Sequence, residues 1–137
     1  MLLIFIAVAL LIVLGVREKV KHRQIIKSVP LRINVNGIRG KSTVTRLITG
    51  VLAEAGYKVA GKTTGTSAKF IHWTGEEDDI IRNPEGPNIK EQKVILKKAS
   101  DIGANAFVGE CMAINPEYQH VLQQSFLQAN IGVILNV

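Results

Sequence analysis

The clearest periodic signal lies between residues 31 and 56, where the hydrophobic pattern changes from a strand period to a helix period. Over residues 31–35 apolar and polar side chains alternate, and a period of two predicts a strand. From Ser42 onwards a continuous apolar stripe follows helical spacing, at Val44, Leu47, Ile48, Val51, Leu52 and Ala55. Gly56 stands where a helix C-cap belongs. The segment therefore predicts a strand, a glycine turn and a helix.

Weaker patterns predict the remaining elements. Residues 58–60 and 70–73 indicate short strands, and the stretches GEEDD and NPEGPN indicate a surface excursion. Residues 89–102 predict a helix that Gly103 stops, and the apolar stretches 104–110 and 131–137 predict buried strands. Asn115 and Pro116 are a typical N-cap and N1 pair for a helix over 117–129.

The order of these elements favours an α/β fold. Strands and helices alternate along residues 31–137, and each parallel crossover needs an element that covers the sheet. We therefore expect one domain built on a parallel sheet with helices on both faces. The chain ends in the largely apolar stretch IGVILNV, with no polar tail after it. This ending suggests the N-terminal piece of something longer.

The first sixteen residues differ from the rest of the chain in being entirely apolar. Residues 2–16 carry no polar side chain. A secretory signal peptide needs charges before the apolar core and a small-x-small cleavage site after it, and neither is present. A membrane anchor is favoured, although the stretch is short for a span and a buried or interfacial helix is the alternative. We expect a transmembrane anchor over 1–16, a basic juxtamembrane segment over 17–30, and a cytoplasmic domain over 31–137.

Charge supports this division and argues against nucleic acid as a partner. The chain has a formal net charge of +6. Residues 17–32 hold six cations and one anion, and the rest of the chain holds eleven cations and ten anions. The excess is therefore local, as expected for a segment that attracts anionic lipid headgroups. Cys111 is the sole cysteine, which excludes an intrachain disulfide, and it is expected to be a small buried hydrophobe rather than a catalytic thiol.

The turn after the first predicted strand has the composition of a phosphate site. The sequence GIRGKST places two glycines, a lysine and two hydroxyls at a strand-to-helix junction. The first amides of a helix have no intrahelical partner and attract anions. Lys41 is expected to reach phosphate oxygens and Ser42 to ligate Mg²⁺, while Thr43 adds a second hydroxyl at the helix start. Arg39 would either reach phosphate or stay solvated. The eight-residue P-loop has Gly where this chain has Val35, so the alternative is an ordinary helix start with Lys41 as a surface cation.

Two further stretches are candidates for the same site. Glu110 follows the apolar strand AFVG and is expected at the carboxyl end of the sheet, where α/β proteins bind ligands. There it would hold Mg²⁺, or else serve as a cap or ion-pair partner. Thr64, Gly65 and Thr66 would offer hydroxyl and amide donors, or else form a plain turn. The three histidines show no metal-ligand spacing and are expected at the surface or half-buried, and Trp73 is expected to be a packing residue.

With NGIRGKST, KTTGT and GECMAINPEYQ preceded by a short apolar helix, the chain resembles the ATP-dependent ligase subunit of membrane-bound poly-γ-glutamate synthases, within the Mur ligase and folylpolyglutamate synthase group. The resemblance covers nearly all 137 residues. A short P-loop is typical of that group, which accounts for Val35. The resemblance implies a Mur ligase-like nucleotide-binding domain that continues beyond residue 137, so the chain is expected to lack part of the catalytic centre.

The resemblance also implies site residues, cofactors and partners. Residues 37–43 would bind the ATP phosphates, that is Gly37, Ile38, Arg39, Gly40, Lys41, Ser42 and Thr43. Ser42 and Glu110 would share Mg²⁺, Lys41 and Glu110 would be the catalytic residues, and Thr64, Gly65 and Thr66 would border the substrate. The expected partners are glutamate, the poly-γ-glutamate chain, membrane lipid and the other membrane subunits of the synthase.

The implied reaction is amide formation. ATP would phosphorylate a carboxylate of the growing chain, and the amine of glutamate would attack the acyl phosphate. Two other functions stay open on the sequence. One is a small P-loop kinase or NTPase, and the other is a non-catalytic membrane-anchored protein in which GIRGKST only starts a helix.

Overall fold

A computed structural model describes residues 1–82, 88, 90–112 and 115–136. Most of the predicted excursion NPEGPN therefore lies outside the described residues, as do position 89 of the predicted helix, two positions of GECMAINPEYQ and the last residue of the predicted final strand.

The described chain contains four α-helices, a π-helical turn and six strands. The helices are α1 (Leu2–Ser28), α2 (Lys41–Glu54), α3 (Lys90–Asp101) and α4 (Pro116–Val121), and α4 runs into the π-helical turn Leu122–Phe126. The strands are β1 (Leu31–Asn36), β2 (Val59–Lys62), β3 (Lys69–Ile71), β4 (Glu77–Asp79), β5 (Ala106–Glu110) and β6 (Ile131–Ile134).

All six strands form one sheet in the order β4-β3-β2-β5-β1-β6. The four strands β2, β5, β1 and β6 run parallel, as predicted. The prediction is wrong for the other two, because β3 runs antiparallel to β2, and β4 antiparallel to β3. The link between β3 and β4 is too short for a crossover, so the two strands form a hairpin.

The acidic stretch GEEDD, predicted as part of a surface excursion, does lie at the surface, but the strand within it was not predicted. Its last three residues form the edge strand β4, with all three side chains exposed. Charged side chains are usual on an edge strand, because they discourage pairing with another chain. The strand signal was missed since EDD has no apolar residue to alternate.

Apolar side chains form a separate core on each face of the sheet. On one face α2 packs against Ile33, Val35, Val59, Ala106 and Val108. On the other, the end of α1, α3 and the π-helical turn pack against Ala60, Phe70 and Phe107. The predicted covering of both faces is confirmed, and Cys111 is buried in the second core as expected. Trp73 packs against both clusters, in line with a packing role.

Helix α2 is rotated relative to the predicted stripe. Val44, Ile48 and Leu52 pack on the core, but Leu47 and Val51 are 62% and 67% exposed. Thr45 and Thr49 are buried in their place. The reason is close contact with β2, because a Cβ built on Gly61 would lie 2.6 Å from Thr49 Oγ1. The small pair Gly61 and Thr49 lets the helix approach the strand, and the approach decides which residues are buried.

Helix α1 runs without a break from the apolar stretch through the basic segment and ends just before Pro30. Its first half is exposed, and His22 and Ile26 are its buried residues. In the described residues no helix is both long enough and apolar enough to span a membrane. The transmembrane span expected over 1–16 is therefore not found in the structure. His22 is only 7% exposed, so the prediction that it lies at the surface or half-buried is wrong.

Arg32 was counted among the basic residues next to the membrane, but the structure buries it. Its Nη1 donates to the carbonyls of Ile26 and Val29, at 3.0 and 2.6 Å, and its Nε donates to Leu127 O at 2.9 Å. The guanidinium thus satisfies carbonyls at the end of α1 and after the π-helical turn. A cation at a helix C-terminus is also favoured by the helix dipole. Arg32 joins α1 to the domain.

The last predicted helix is shorter than expected. Asn115 caps α4, and its Oδ1 accepts a hydrogen bond of 2.9 Å from Glu117 N, as its N-cap pattern predicts. Beyond Val121 the backbone widens into the π-helical turn, and Gln128 has φ +48°. The widening allows Leu122 and Leu127 both to be buried beneath α3 and the sheet.

Candidate functional site

The turn between β1 and α2 lies at the carboxyl end of the parallel strands. Gly37 has φ +142° and Gly40 has φ +83°, and Gly40 is the N-cap of α2. Residues with a Cβ rarely adopt such values, so the two glycines are what this turn requires. Gly40 has no side chain with which to cap the helix. The first amides of α2 are therefore available to an anion.

Glu110 lies beside this turn because β5 is the neighbour of β1, with Val35 opposite Glu110. The carboxylate is only 4% exposed. Its Oε2 accepts a hydrogen bond of 2.7 Å from Ser42 Oγ and one of 2.8 Å from Thr64 N. Three separate stretches of sequence, from β5, α2 and the segment after β2, thus meet at one oxygen atom.

The side chain of Lys41 folds back over the turn. Its Nζ donates to Gly37 O at 2.7 Å, and the side chain is half-buried. The ammonium therefore lies at the mouth of the glycine turn, on the same short segment as Ser42. A lysine placed there can exchange this single carbonyl for phosphate oxygens without a change in the backbone.

Two amides of the turn pair with one side chain, that of Asn136. Asn136 Oδ1 accepts from Ile38 N at 2.6 Å and from Arg39 N at 3.1 Å, and Asn136 Nδ2 donates to Arg39 O at 3.2 Å. Asn136 follows β6, the strand on the other side of β1. Its side chain fixes the first half of the turn, so the amides left for a ligand are those at the start of α2.

A network of charges holds the segment after β2. Lys62 is 0% exposed, and its Nζ lies 2.9 Å from Glu91 Oε1. Arg82 pairs with the other oxygen of Glu91 at 3.2 Å and donates to Thr64 O at 2.9 Å. Arg82 thereby holds the carbonyl of Thr64, the residue whose amide donates to Glu110.

The burial and the charges of this network shift the pKa values of its members. Burial lowers the pKa of Lys62, although the nearby carboxylate of Glu91 opposes the shift. Burial also acts to raise the pKa of Glu91, but hydrogen bonds and charge from Lys62 and Arg82 outweigh it, so that this pKa is lowered. The pair therefore favours an ionised carboxylate beneath the Thr64 segment.

The predicted site residues fall into three groups. Ser42, Thr64 and Glu110 are in direct contact, and Lys41 is next to them. Gly37 and Gly40 shape the turn. The others are exposed around it, namely Ile38, Arg39, Thr43, Gly65 and Thr66. Gly65 is near the group, since a Cβ built on it would lie 4.0 Å from Ser42 Oγ. Among the described residues, Thr66 and Thr43 form no hydrogen bond with Glu110.

Sequence reasoning missed several residues that shape the site. These are Asn136, which holds the turn, and the two cations Lys62 and Arg82. A fourth is Gln92, whose Nε2 donates to Glu110 O at 3.1 Å. The available signal for Asn136 was a single polar residue within the otherwise apolar stretch 131–137. No sequence pattern marks Arg82 or Gln92, because their roles depend on how α3 packs against the sheet.

The residues present fit a magnesium ion that is shared with phosphates. A hydroxyl and a carboxylate oxygen in contact are the hard oxygen ligands that Mg²⁺ prefers, and Mg²⁺ often takes one or two carboxylates with water and substrate phosphates. Among the described residues no group of three or more His, Cys, Asp or Glu side chains could hold a metal ion alone. Mg²⁺ held by Ser42 and Glu110 would take its other ligands from water or from phosphate oxygens.

The chain is similar along its length to bacterial proteins named CapB. It is 58% identical over 138 aligned residues to the PGA synthase CapB of Bacillus subtilis (strain 168), which covers 100% of this chain and 35% of that protein. It is 54% identical over 136 residues to the capsule biosynthesis protein CapB of Bacillus anthracis, which covers 98% of this chain and 29% of that protein. No protein-family model and no solved structure matches the chain. The chain thus spans about a third of the length of the curated relatives it matches.

Proposed function

We propose that the chain is the nucleotide-binding part of an ATP-dependent amide ligase that extends poly-γ-glutamate. The observation that carries the proposal is the contact of Ser42 and Thr64 with Glu110 beside the glycine turn. The names of the two CapB relatives support the polymer as the product. The ligase would work with other subunits of a synthase at the cytoplasmic face of the cell membrane, where the exposed apolar half of α1 would contact lipid.

The chemistry needs an activated carboxylate. A free carboxylate is a poor electrophile, and transfer of the γ-phosphoryl group from ATP to the chain-end carboxylate supplies a leaving group. The amine of glutamate then attacks the acyl carbon, the amide forms, and inorganic phosphate leaves. Each cycle therefore uses one ATP and releases ADP and phosphate.

The residues of the chain would divide this work. The amides at the start of α2 and the ammonium of Lys41 would bind the phosphates and offset the charge that develops during transfer. Ser42 and Glu110 would hold Mg²⁺, which when bound neutralises charge on the phosphate oxygens. Thr64, fixed by Arg82, would keep Glu110 oriented and border the acceptor end of the pocket.

The test replaces Lys41 by alanine. We expect Lys41→Ala to reduce glutamate-dependent ADP release by a synthase that contains this chain by about 100-fold or more, which is typical for loss of one group that stabilises transferring charge. Lys58→Ala serves as the control, because Lys58 is exposed and lies outside the site. MgATP affinity, measured by calorimetry on the same variants, separates loss of binding from loss of turnover.

Each rival function gives its own result. ADP release that does not depend on glutamate would point to a kinase or NTPase. Failure of the wild-type chain to bind MgATP, or normal turnover in Lys41→Ala, would refute the proposal and leave GIRGKST as a simple helix start.

A further inference from the structure

A groove lies between α1, α3 and the π-helical turn, and its walls do not include the residues of the candidate site. Two cavities occupy it, with volumes of about 460 and 610 Å³. Glu18, His22, Lys93 and Phe126 line both cavities. The two cavities therefore form parts of one feature, which we call the α1–α3 groove.

The α1–α3 groove is strongly basic. Its walls carry one carboxylate, Glu18, and six cations, Lys19, Lys21, Arg23, Lys90, Lys93 and Lys97. The spacing explains the clustering, because residues three or four apart share one face of a helix. Lys90, Lys93 and Lys97 lie on one face of α3, and Glu18, Lys21, His22 and Ile25 lie on one face of α1.

Only part of this charge is neutralised within the groove. Lys93 forms an ion pair with Glu18, and its hydrogen bond lowers the pKa of that carboxyl. Lys97 pairs with Asp101. The four other cations form no ion pair with any residue that the structure describes. Unpaired cations around a concave surface raise the local concentration of anions.

His22 gives the groove an unsatisfied polar atom. Its Nε2 lies 2.9 Å from Phe126 O, and since a carbonyl only accepts, Nε2 carries the hydrogen. Its Nδ1 is buried and has no hydrogen-bond partner among the described residues. Such an atom is usually satisfied by a ligand or a water molecule. Neutral Nδ1 accepts from an amide N–H, and protonated Nδ1 donates to a carboxylate.

We infer that the α1–α3 groove binds the growing polymer as a chain of carboxylates joined by amides. The inference rests on the proposed function for the identity of this polymer. The cations match its repeated carboxylates, and Nδ1 of His22 matches its amide hydrogens. The apolar side chains of Ile25, Val94 and Phe126 in the wall can pack against its methylene groups.

Helix α3 connects the groove with the candidate site. Its first turn directs Glu91 and Gln92 towards the Thr64 segment and Glu110, while Lys90 and Lys93 line the groove. A polymer bound in the groove would thus be held along the same helix that packs against the proposed reaction centre. Binding of this kind would keep the polymer on the enzyme between additions of glutamate, which would favour a long product.

The experiment measures binding of purified poly-γ-glutamate to the chain in low salt. The groove variant Lys21→Gln/Lys90→Gln removes two exposed charges and leaves the pair of Lys93 and Glu18 intact. The control variant Lys27→Gln/Lys58→Gln removes the same charge from exposed positions outside the groove. We expect about tenfold weaker binding for the groove variant and less than about twofold for the control, as two lost contacts in water predict after screening.

Two comparisons identify the ligand. Poly-γ-glutamate with its carboxylates esterified should not bind. Vesicles of phosphatidylglycerol, with phosphatidylcholine as the neutral reference, test whether the same cations serve anionic lipid. Vesicle binding that falls in the groove variant while polymer binding does not would overturn the inference in favour of a membrane surface. Equal losses of polymer binding in both variants would also overturn it, because they indicate unspecific attraction.

The measurement of MgATP affinity separates this inference from the proposed function. MgATP binding without polymer binding would refute the groove alone. Groove-dependent polymer binding in a chain that does not bind MgATP would refute the ligase and keep the groove as a polymer site. In the groove variant we expect MgATP affinity within about twofold of wild type, since the substituted residues lie outside the phosphate site.

Discussion

Ser42 Oγ donates a hydrogen bond of 2.7 Å to Glu110 Oε2, although the two residues are 68 positions apart in the sequence. The contact exists because β5 lies between β2 and β1, so that the end of β5 meets the start of α2. It joins the one hydroxyl and the one carboxylate that the sequence suggested as magnesium ligands. Disrupting this contact is therefore the most direct test of the proposed site.

Glu110→Gln is expected to weaken the response to magnesium. The amide keeps the shape of the side chain and can still accept from Ser42 and Thr64, but it has no charge to offer a cation. We expect the Mg²⁺ concentration that half-saturates ATP binding to rise by about 10- to 100-fold, the range seen for altered metal sites. Titration of Mg²⁺ at fixed ATP measures the effect, with Glu54→Gln on the exposed side of α2 as the control. An unchanged requirement would remove Glu110 from the site.

Gly61→Ala is expected to destabilise the fold. The added Cβ would lie 2.6 Å from Thr49 Oγ1, and overpacking of this kind costs about 1–3 kcal/mol. The second variant Gly61→Ala/Thr49→Ala should recover most of the loss, since it removes the atom that clashes. Denaturant unfolding measures both variants.

Gly50→Ala is the matched control and should act in the opposite direction. Gly50 is within α2, and a Cβ there meets nothing within 4 Å among the described residues. Alanine favours a helix over glycine by about 0.5–1 kcal/mol. A loss of stability at Gly50, or none at Gly61, would contradict the packing of α2 on β2 described above.

Arg32→Gln is expected to lower the free energy of unfolding by about 3 kcal/mol, because several buried carbonyls lose a charged donor. Arg17→Gln removes the same charge from an exposed position of α1 and should change stability by less than about 0.5 kcal/mol. Thermal unfolding followed by circular dichroism distinguishes them. Equal shifts would mean that Arg32 does not hold α1 to the domain.

The carboxyl group of Asp78 is expected to affect stability in acid. Hydrogen bonds from Lys98 at 2.7 Å and His72 at 2.9 Å lower its pKa from 3.8 to about 2. A lowered pKa means that the unfolded chain takes up the proton first. The stabilisation is therefore fully present above pH 3.8 and is lost as the pH falls towards about 2.

Titration of the Asp78 carboxyl by NMR checks this directly. Lys98→Gln removes the larger cause and should move the pKa of Asp78 upwards from about 2. Lys97→Gln is the control, because Lys97 pairs with Asp101 instead of Asp78. A pKa of Asp78 that does not respond to Lys98→Gln would show that the ion pair does not persist in solution.

Local pattern was sufficient wherever neighbours in sequence decide the outcome. The strand before Gly37, the cap at Asn115 and the stop at Gly103 follow from spacing and side-chain chemistry within a few residues. Position at the end of an apolar strand also placed Glu110 at the carboxyl edge of the sheet. The acidic strand β4 was missed because no local pattern marks it. Its pairing with β3 has no apolar signature.

By itself the sequence determined which segments are strands and helices in the centre of the domain, where the apolar period is strong, and it placed the glycine turn between them. The tertiary structure alone decided that β5 lies beside β1, that Gly61 turns Thr49 inward, and that Arg32 and His22 are buried. These outcomes depend on the order of the strands in the sheet and on how closely the helices approach it. Both are set by contacts between residues far apart in the chain, which no local period can report.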